Sequence, residues 1–228
     1  MNTNDGIRTE LTPSQHQVVL GTLFGDGSLT MGKHSRNARL HFRVSEKDRE
    51  YIFWKYRGLE TTGVFKSPPK FRLCKSGYKF KRTGDLQRVW YLFSRSLPIM
   101  TQYRELFYPN GEKSISQSAL ENLNALGLAV WYMDDGHFHD SLKYKYCRVG
   151  LSTQGFTCED NELVRSWLAG RFGLHFHLHR VKEGHGSELY LTIGKEVRRF
   201  LDIVRPYVSQ VGCMERKLQR EAVKSGQL

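Results

Sequence analysis

The sequence predicts an α+β chain built from two similar halves that dock on each other, and three observations carry that reading. Two apolar stretches, Val19 to Gly27 and Leu128 to Gly136, each read as a buried helix ending in Asp-Gly. The patterns behind them run in step, because Phe42 lies 16 residues past Asp26 and Leu151 lies 16 past Asp135. The 228 residues also carry 35 Lys+Arg against 23 Asp+Glu, a net charge of +12, and no apolar run reaches the length of a membrane span. Such a chain is long enough to bury a real core. Its charge suits a polyanion, with a merely soluble basic surface as the plainer alternative.

Thr12-Pro13-Ser14-Gln15 opens the first helix with a cap residue, a proline at the first helical position and a glutamine three residues on. The helix is expected from Pro13 to Asp26. A polar loop after Ser28-Leu29 leads into Arg39 to Val44, which alternates with period two: Arg39, His41 and Arg43 on one face, Leu40, Phe42 and Val44 on the other. Lys47 to Leu59, with Tyr51, Ile52, Trp54 and Tyr56 among charges, reads as a covering helix. A basic hairpin is expected next, with strands near Lys70 to Lys75 and Tyr78 to Arg82 turning at Ser76-Gly77. A polar helix from about Val89 to Phe107 follows.

Ser118-x-x-Glu121 reads as a capping box for a short helix, and Asn124 as the cap of the second apolar helix. The plan then repeats: a strand over Arg148 to Gln154, a helix over Glu159 to Arg171, a hairpin of His175 to Val181 and Glu188 to Ile193, and a closing helix through Leu201 to Pro206. Two halves of about 7–112 and 113–228 result. Cys74, Cys147, Cys158 and Cys213 lack close-paired spacing and read as reduced thiols, and Met1 to Glu10 lacks a secretory or transit pattern. The expected setting is intracellular, an organelle or a bacterial or phage cytoplasm.

The two Asp-Gly endings are physically odd. A helix C-terminus carries about half a negative charge, so an aspartate there costs about 0.3–1 kcal/mol unless a cation sits beside it. Gly136 suits the left-handed cap position just past such a helix. A single Asp-Gly at a helix end is most simply a cap or turn, but two copies at matching places in a repeat point to paired carboxylates with a shared task. Mg²⁺ takes one or two carboxylates and keeps its waters, so Asp26 and Asp135 can serve phosphodiester chemistry.

Registered on these aspartates, the pair resembles the two signature helices of the LAGLIDADG homing endonucleases, in the single-chain form with two signatures. The first copy keeps glycines, Gly21 and Gly25, where the family pattern has small residues at the helix crossing, and the second has Val130 and Asp134 there. The resemblance implies two pseudo-symmetric αββαββα halves packed through the signature helices, with curved antiparallel sheets forming a DNA-binding saddle. It implies a monomeric endonuclease that makes double-strand breaks with short 3′ overhangs at a long asymmetric site in double-stranded DNA. Mg²⁺ is the implied cofactor, with Mn²⁺ substituting and Ca²⁺ binding without cleavage. The alternative within the family is an RNA maturase that assists splicing of a group I intron.

What the resemblance implies for single residues follows. Asp26 and Asp135 are catalytic and metal-binding, and the carbonyl preceding each, at Gly25 and Asp134, also meets metal. Lys113 and Lys217 occupy the two places where the family keeps a lysine near the active site, to polarise water or steady the phosphate; either is otherwise a solvated surface lysine, with Arg216 and Arg220 as near neighbours. Strand parity nominates Arg39, His41, Arg43, Lys70, Arg72, Lys79, Lys81, Arg148, His175 and His177 for DNA. His175, His177 and His179 share parity, which leaves a zinc stripe as the rival to DNA contact. Gln154 resembles a recurrent family position and either ends a strand or touches DNA.

Overall fold

The computed structural model describes residues 10–75, 84–141, 146–180 and 186–218. Helix α1 (Pro13–Phe24) starts as its sequence dictates: Thr12 Oγ1 accepts from the Gln15 amide, and the Gln15 side chain accepts from the Thr12 amide. Strands β1 (Ser28–Thr30) and β2 (Arg39–Ser45) follow, then helix α2 (Arg49–Glu60), strands β3 (Lys70–Cys74) and β4 (Gln87–Phe93), and helices α3 (Pro98–Phe107) and α4 (Gln117–Glu121). The second half runs through α5 (Ala125–Asp135), β5 (Gly136–Ser141), β6 (Tyr146–Ser152), α6 (Cys158–Phe172), β7 (His177–Arg180), β8 (Ser187–Leu191) and α7 (Gly194–Val208). Lys217 ends a short 3-10 helix, Gly212–Lys217.

The two sheets share one topology, β1-β2-β4-β3 and β5-β6-β8-β7, antiparallel throughout. Each keeps one apolar face inward: Leu40, Phe42 and Leu92 in the first, Val149, Leu151, Leu189 and Leu191 in the second, all buried. Helices α1 and α5 lie at the centre against each other, with Phe24 and Trp131 rings 5.0 Å apart.

Several expectations change. Val89 to Phe93 belongs to a strand, and helix α3 begins only at Pro98, which sits at a first-turn position. A run of valine and aromatics has no period that separates strand from helix, and β pairing with β2 and β3 decides it. The partner of β3 is therefore β4, while the expected strand Tyr78 to Arg82 and its turn lie outside the described residues. Ser116, not Ser118, caps the short helix, accepting from the Ala119 amide at 3.1 Å. Asn124 does cap α5, accepting from Leu126 and Gly127.

Gly136 is not left-handed; its φ of −80° and ψ of 156° carry the chain straight from α5 into β5. Glycine is needed there for space, since a Cβ would lie 1.9 Å from the Tyr132 ring. The same constraint governs the helix crossing. A Cβ on Gly21 would lie 2.3 Å from the Gly127 carbonyl oxygen and 2.6 Å from Val130 Cβ, and one on Gly25 would lie 2.5 Å from Asp134 Cβ. The two glycines of α1 thus make room for the larger Val130 and Asp134 of α5, so the crossing is close but asymmetric.

Glycine to alanine within a helix gains about 0.5–1 kcal/mol where space is free and loses about 1–3 kcal/mol where the core is overpacked. A methyl group on Gly58 of α2 would meet no atom within 4 Å, unlike one on Gly21. Chemical denaturation should therefore show Gly58→Ala more stable than the parent protein and Gly21→Ala less stable, despite identical chemistry.

Candidate functional site

The tips of α1 and α5 meet at the seam between the sheets. Asp26 stands two residues past the end of α1 and is exposed, whereas Asp135 is the last residue of α5 and is half-buried. Burial, then Asp134, then Asp26 push the Asp135 pKa up to about 7, with Lys113 and Lys217 opposing. Two of the nominated acids are thus near enough to feel each other's charge.

The cation that the helix ends require is supplied by the chain itself. Lys113 Nζ donates to the Gly25 carbonyl at 2.7 Å and to the Gly27 carbonyl at 3.1 Å. Lys217 Nζ donates to the carbonyls of Tyr132, Met133 and Asp134 at 3.2, 2.5 and 3.0 Å. Each ammonium sits on carbonyls at or just past a helix end and offsets the dipole. Burial lowers the pKa of both lysines, Lys217 to about 8, against the pull of the aspartates. The carbonyls they hold include those of Gly25 and Asp134.

A group that sequence reasoning missed supports this arrangement from below. The Asp134 carboxylate is buried, and Lys55 of α2 donates to both its oxygens, at 2.8 and 2.9 Å. The Lys55 ammonium also lies 4.4 Å from the Tyr51 ring centre and 4.7 Å from that of Phe42, and the Tyr51 hydroxyl donates to the Val130 carbonyl at 3.0 Å. Burial raises the Asp134 pKa and Lys55 opposes it, so the charge of this carboxylate depends on its lysine. The signal was present: the buried stripe of α2 is Tyr51, Ile52, Lys55 and Leu59, a lysine at helical spacing among apolar residues, while Trp54 and Tyr56 are only half-buried.

The outer faces of the sheets hold most of the remaining nominees. Arg39, His41 and Arg43 of β2 share a face with Tyr91 and Phe93 of β4 and with Lys70 and Arg72 of β3. Arg39 lies over Phe93 and Arg72 over Tyr91, at 5.2 and 5.7 Å from the ring centres. Lys79 and Lys81 lie outside the described residues. On the second sheet, Arg148 lies 4.5 Å from the centre of the Tyr190 ring, opposite His139 in register, and His177 pairs with Tyr190. His175 falls before β7, where its amide and ring are both held by Glu196 at 2.6 and 3.1 Å. Among the described residues no group of three or more His, Cys, Asp or Glu side chains is placed to hold a metal ion, so the histidines form no zinc stripe there.

That same observation tests the fit of a divalent metal at the seam. Asp26 and Asp135 offer carboxylate oxygens without a closed protein cage, a donor set that suits a hard cation completed by water and phosphate oxygens. A groove lined by Asp26, Arg43, Asp134 and Lys217 joins the first sheet's polar face to this place.

Fold and site define a two-half α+β protein with paired acidic helix tips on a basic sheet surface. Residues 16–200 match the model of the LAGLIDADG DNA endonuclease family, and the chain belongs to that family. It is similar over 97% of its length to the homing endonuclease I-WcaI, solved bound to its DNA recognition sequence, with 23% identity, 96% of that chain covered and a TM-score of 0.80. Meganuclease I-SmaMI, bound to uncleavable DNA, shares the fold at 15% identity, with 92% of this chain and 88% of that one covered and a TM-score of 0.52. Among curated proteins, RecA of Mycolicibacterium fallax is 27% identical over 223 residues, 91% of this chain and 47% of that protein. The chain therefore spans about half the length of such relatives. A cytochrome b mRNA maturase of Debaryomyces hansenii is 21% identical over 203 residues, 89% of this chain and 72% of that protein.

Two outcomes are expected. Removing one partner of a buried ion pair costs about 3–5 kcal/mol, so Lys55→Met should lower the urea midpoint sharply, and adding Asp134→Leu to it should recover much of the loss. Asp135 binds its proton more tightly when folded, so the metal-free protein loses stability as pH rises from about 4 to the folded pKa of about 7. Asp135→Asn should therefore become increasingly more stable than the parent across that window, with the gap constant above it.

Proposed function

We propose that this chain is a site-specific DNA endonuclease that cuts both strands of a long asymmetric duplex site with Mg²⁺, leaving short 3′ overhangs. The observation that carries the reading is the matched pair of tips: Asp26 with Lys113 on one, Asp135 with Lys217 on the other. Family membership and DNA-bound neighbours of the same fold support it.

In this reading the Asp26 and Asp135 carboxylates and the Gly25 and Asp134 carbonyls hold divalent metal, with Mn²⁺ able to replace Mg²⁺ and Ca²⁺ occupying the place unproductively. A bound cation there supplies charge at the scissile phosphate and lowers the pKa of water. Lys113 and Lys217 bring compact positive charge to the developing pentavalent phosphate. Arg39, His41, Arg43, Lys70, Arg72, Arg148 and His177 contact DNA from the sheet faces, and Lys79 and Lys81, outside the described residues, take the same role. The rings of Phe93, Tyr91 and Tyr190 lie beneath the guanidiniums of Arg39, Arg72 and Arg148 and help fix where those charges stand. The protein acts as a monomer, inside a cell.

The similarity to a cytochrome b mRNA maturase favours a second reading, in which the chain assists splicing of a group I intron. One experiment separates them. Purified protein with Mg²⁺ is incubated with a library of randomised duplexes and the cut sequences are recovered. The endonuclease reading predicts discrete sites cut on both strands, and loss of double-strand cleavage in Asp26→Asn and Asp135→Asn. An uncut library, together with faster splicing of an intron RNA, would transfer the assignment to the maturase.

A further inference from the structure

Each catalytic lysine serves one helix tip, yet the backbone that carries it is fastened by the half that does not own that tip. Lys217, which serves α5, ends the 3-10 helix Gly212–Lys217. The first amides of that helix, Gly212 and Cys213, donate to the Glu50 carboxylate at 3.1 and 2.9 Å. Glu50 stands in the first turn of α2, in the N-terminal half. Just ahead of it, Asp48 accepts from Arg216, the residue beside Lys217, at 2.6 Å.

At the other tip the lysine as well as its fastener comes from the half that does not own the tip, here the C-terminal half. Lys113, which serves α1, lies two residues before Ile115, whose amide donates to Asp160 Oδ1 at 3.1 Å. Asp160 stands in the first turn of α6, in the C-terminal half, and its other oxygen accepts from the Thr157 amide at 3.2 Å. In both cases a carboxylate from the opening of the helix that follows a half's first two strands holds backbone amides close to a lysine at a tip.

Resting on the endonuclease reading, we propose that Glu50 and Asp160 are positioning residues: Glu50 sets Lys217 for the Asp135 centre, and Asp160 sets Lys113 for the Asp26 centre. A lysine side chain has four rotatable bonds, so its ammonium is placed only as well as its backbone is. Carboxylate-to-amide bonds are charge-assisted and directional, which makes them better fasteners than an exposed ion pair. Each centre draws on residues of both halves, so neither is complete until the halves are docked, which ties the two strand cuts to one folded state.

The test uses the full chain and a duplex recovered from the randomised library, with the two strands labelled separately. Misplacing a catalytic group by about 1 Å costs on the order of a hundredfold in rate. Glu50→Ala is expected to slow cleavage of one strand at least tenfold more than the other, giving nicked product, and Asp160→Ala to nick the opposite strand. Glu50→Gln, which keeps one acceptor oxygen, should restore most of the rate. Hydrogen exchange without metal or DNA should show faster exchange of the Gly212 and Cys213 amides in Glu50→Ala. Equal slowing of both strands, or unchanged exchange of those amides, overturns the proposal. If Asp160→Ala does not fold, because Asp160 also belongs to the cap of α6, the Glu50 variants decide alone. A parent protein that cuts no duplex would sink the endonuclease reading, and the exchange measurement would still judge the fastening itself.

Discussion

The structure depends on how closely α1 and α5 approach at Gly21 and Gly25. Backbone and Cβ atoms of α5 occupy the space where side chains of α1 would otherwise stand, so the helices cross with their ends side by side. Everything chemical follows from that approach. It sets Asp26 and Asp135 within reach of each other's charge, and it forces Asp134 into a buried position that the Lys55 ammonium makes tolerable. A buried ion pair of this kind contributes little net stability over an apolar pair, yet it is costly to break. Its consequence is a fixed register between α2 and the end of α5.

The second consequence concerns electrostatics. Carboxylates gathered at two helix C-termini repel each other and oppose both dipoles, and the protein answers with Lys113 and Lys217 seated on the terminal carbonyls. A divalent cation at the same tips would compete with those ammoniums for the Gly25 and Asp134 oxygens. The sheets differ as well: the first presents Arg39, Arg43, Lys70 and Arg72, while Arg148 stands among histidines on the second. An asymmetric duplex partner suits such an asymmetric pair of faces.

Much of this was legible in the sequence because it is local. Thr12, Gln15 and Asn124 announce their helices through caps, and the parity of Arg39 to Val44 gives both faces of β2. The repeat placed Leu151 in the core as the counterpart of Phe42. What was hidden is either short or long-range. Strands β1 and β5 are brief, and the apolar run Val89 to Phe93 has no period of its own. Lys55 and Asp134 are 79 residues apart, and Glu50 and Gly212 are 162 apart. No window of sequence contains either pair. The role of Gly136 was misjudged because the need was for space beside Tyr132 and not for an unusual φ.

The most direct test of paired acidic tips as the metal-holding centre is a crystal structure of the protein on a duplex it cuts, with Mn²⁺ located by its anomalous scattering. Metal is expected at the seam, bound by Asp26 and Asp135 with the Gly25 and Asp134 carbonyls turned toward it, and both lysine ammoniums moved onto phosphate. Metal sited away from the two helix tips, or tips separated on the bound duplex, would contradict that centre.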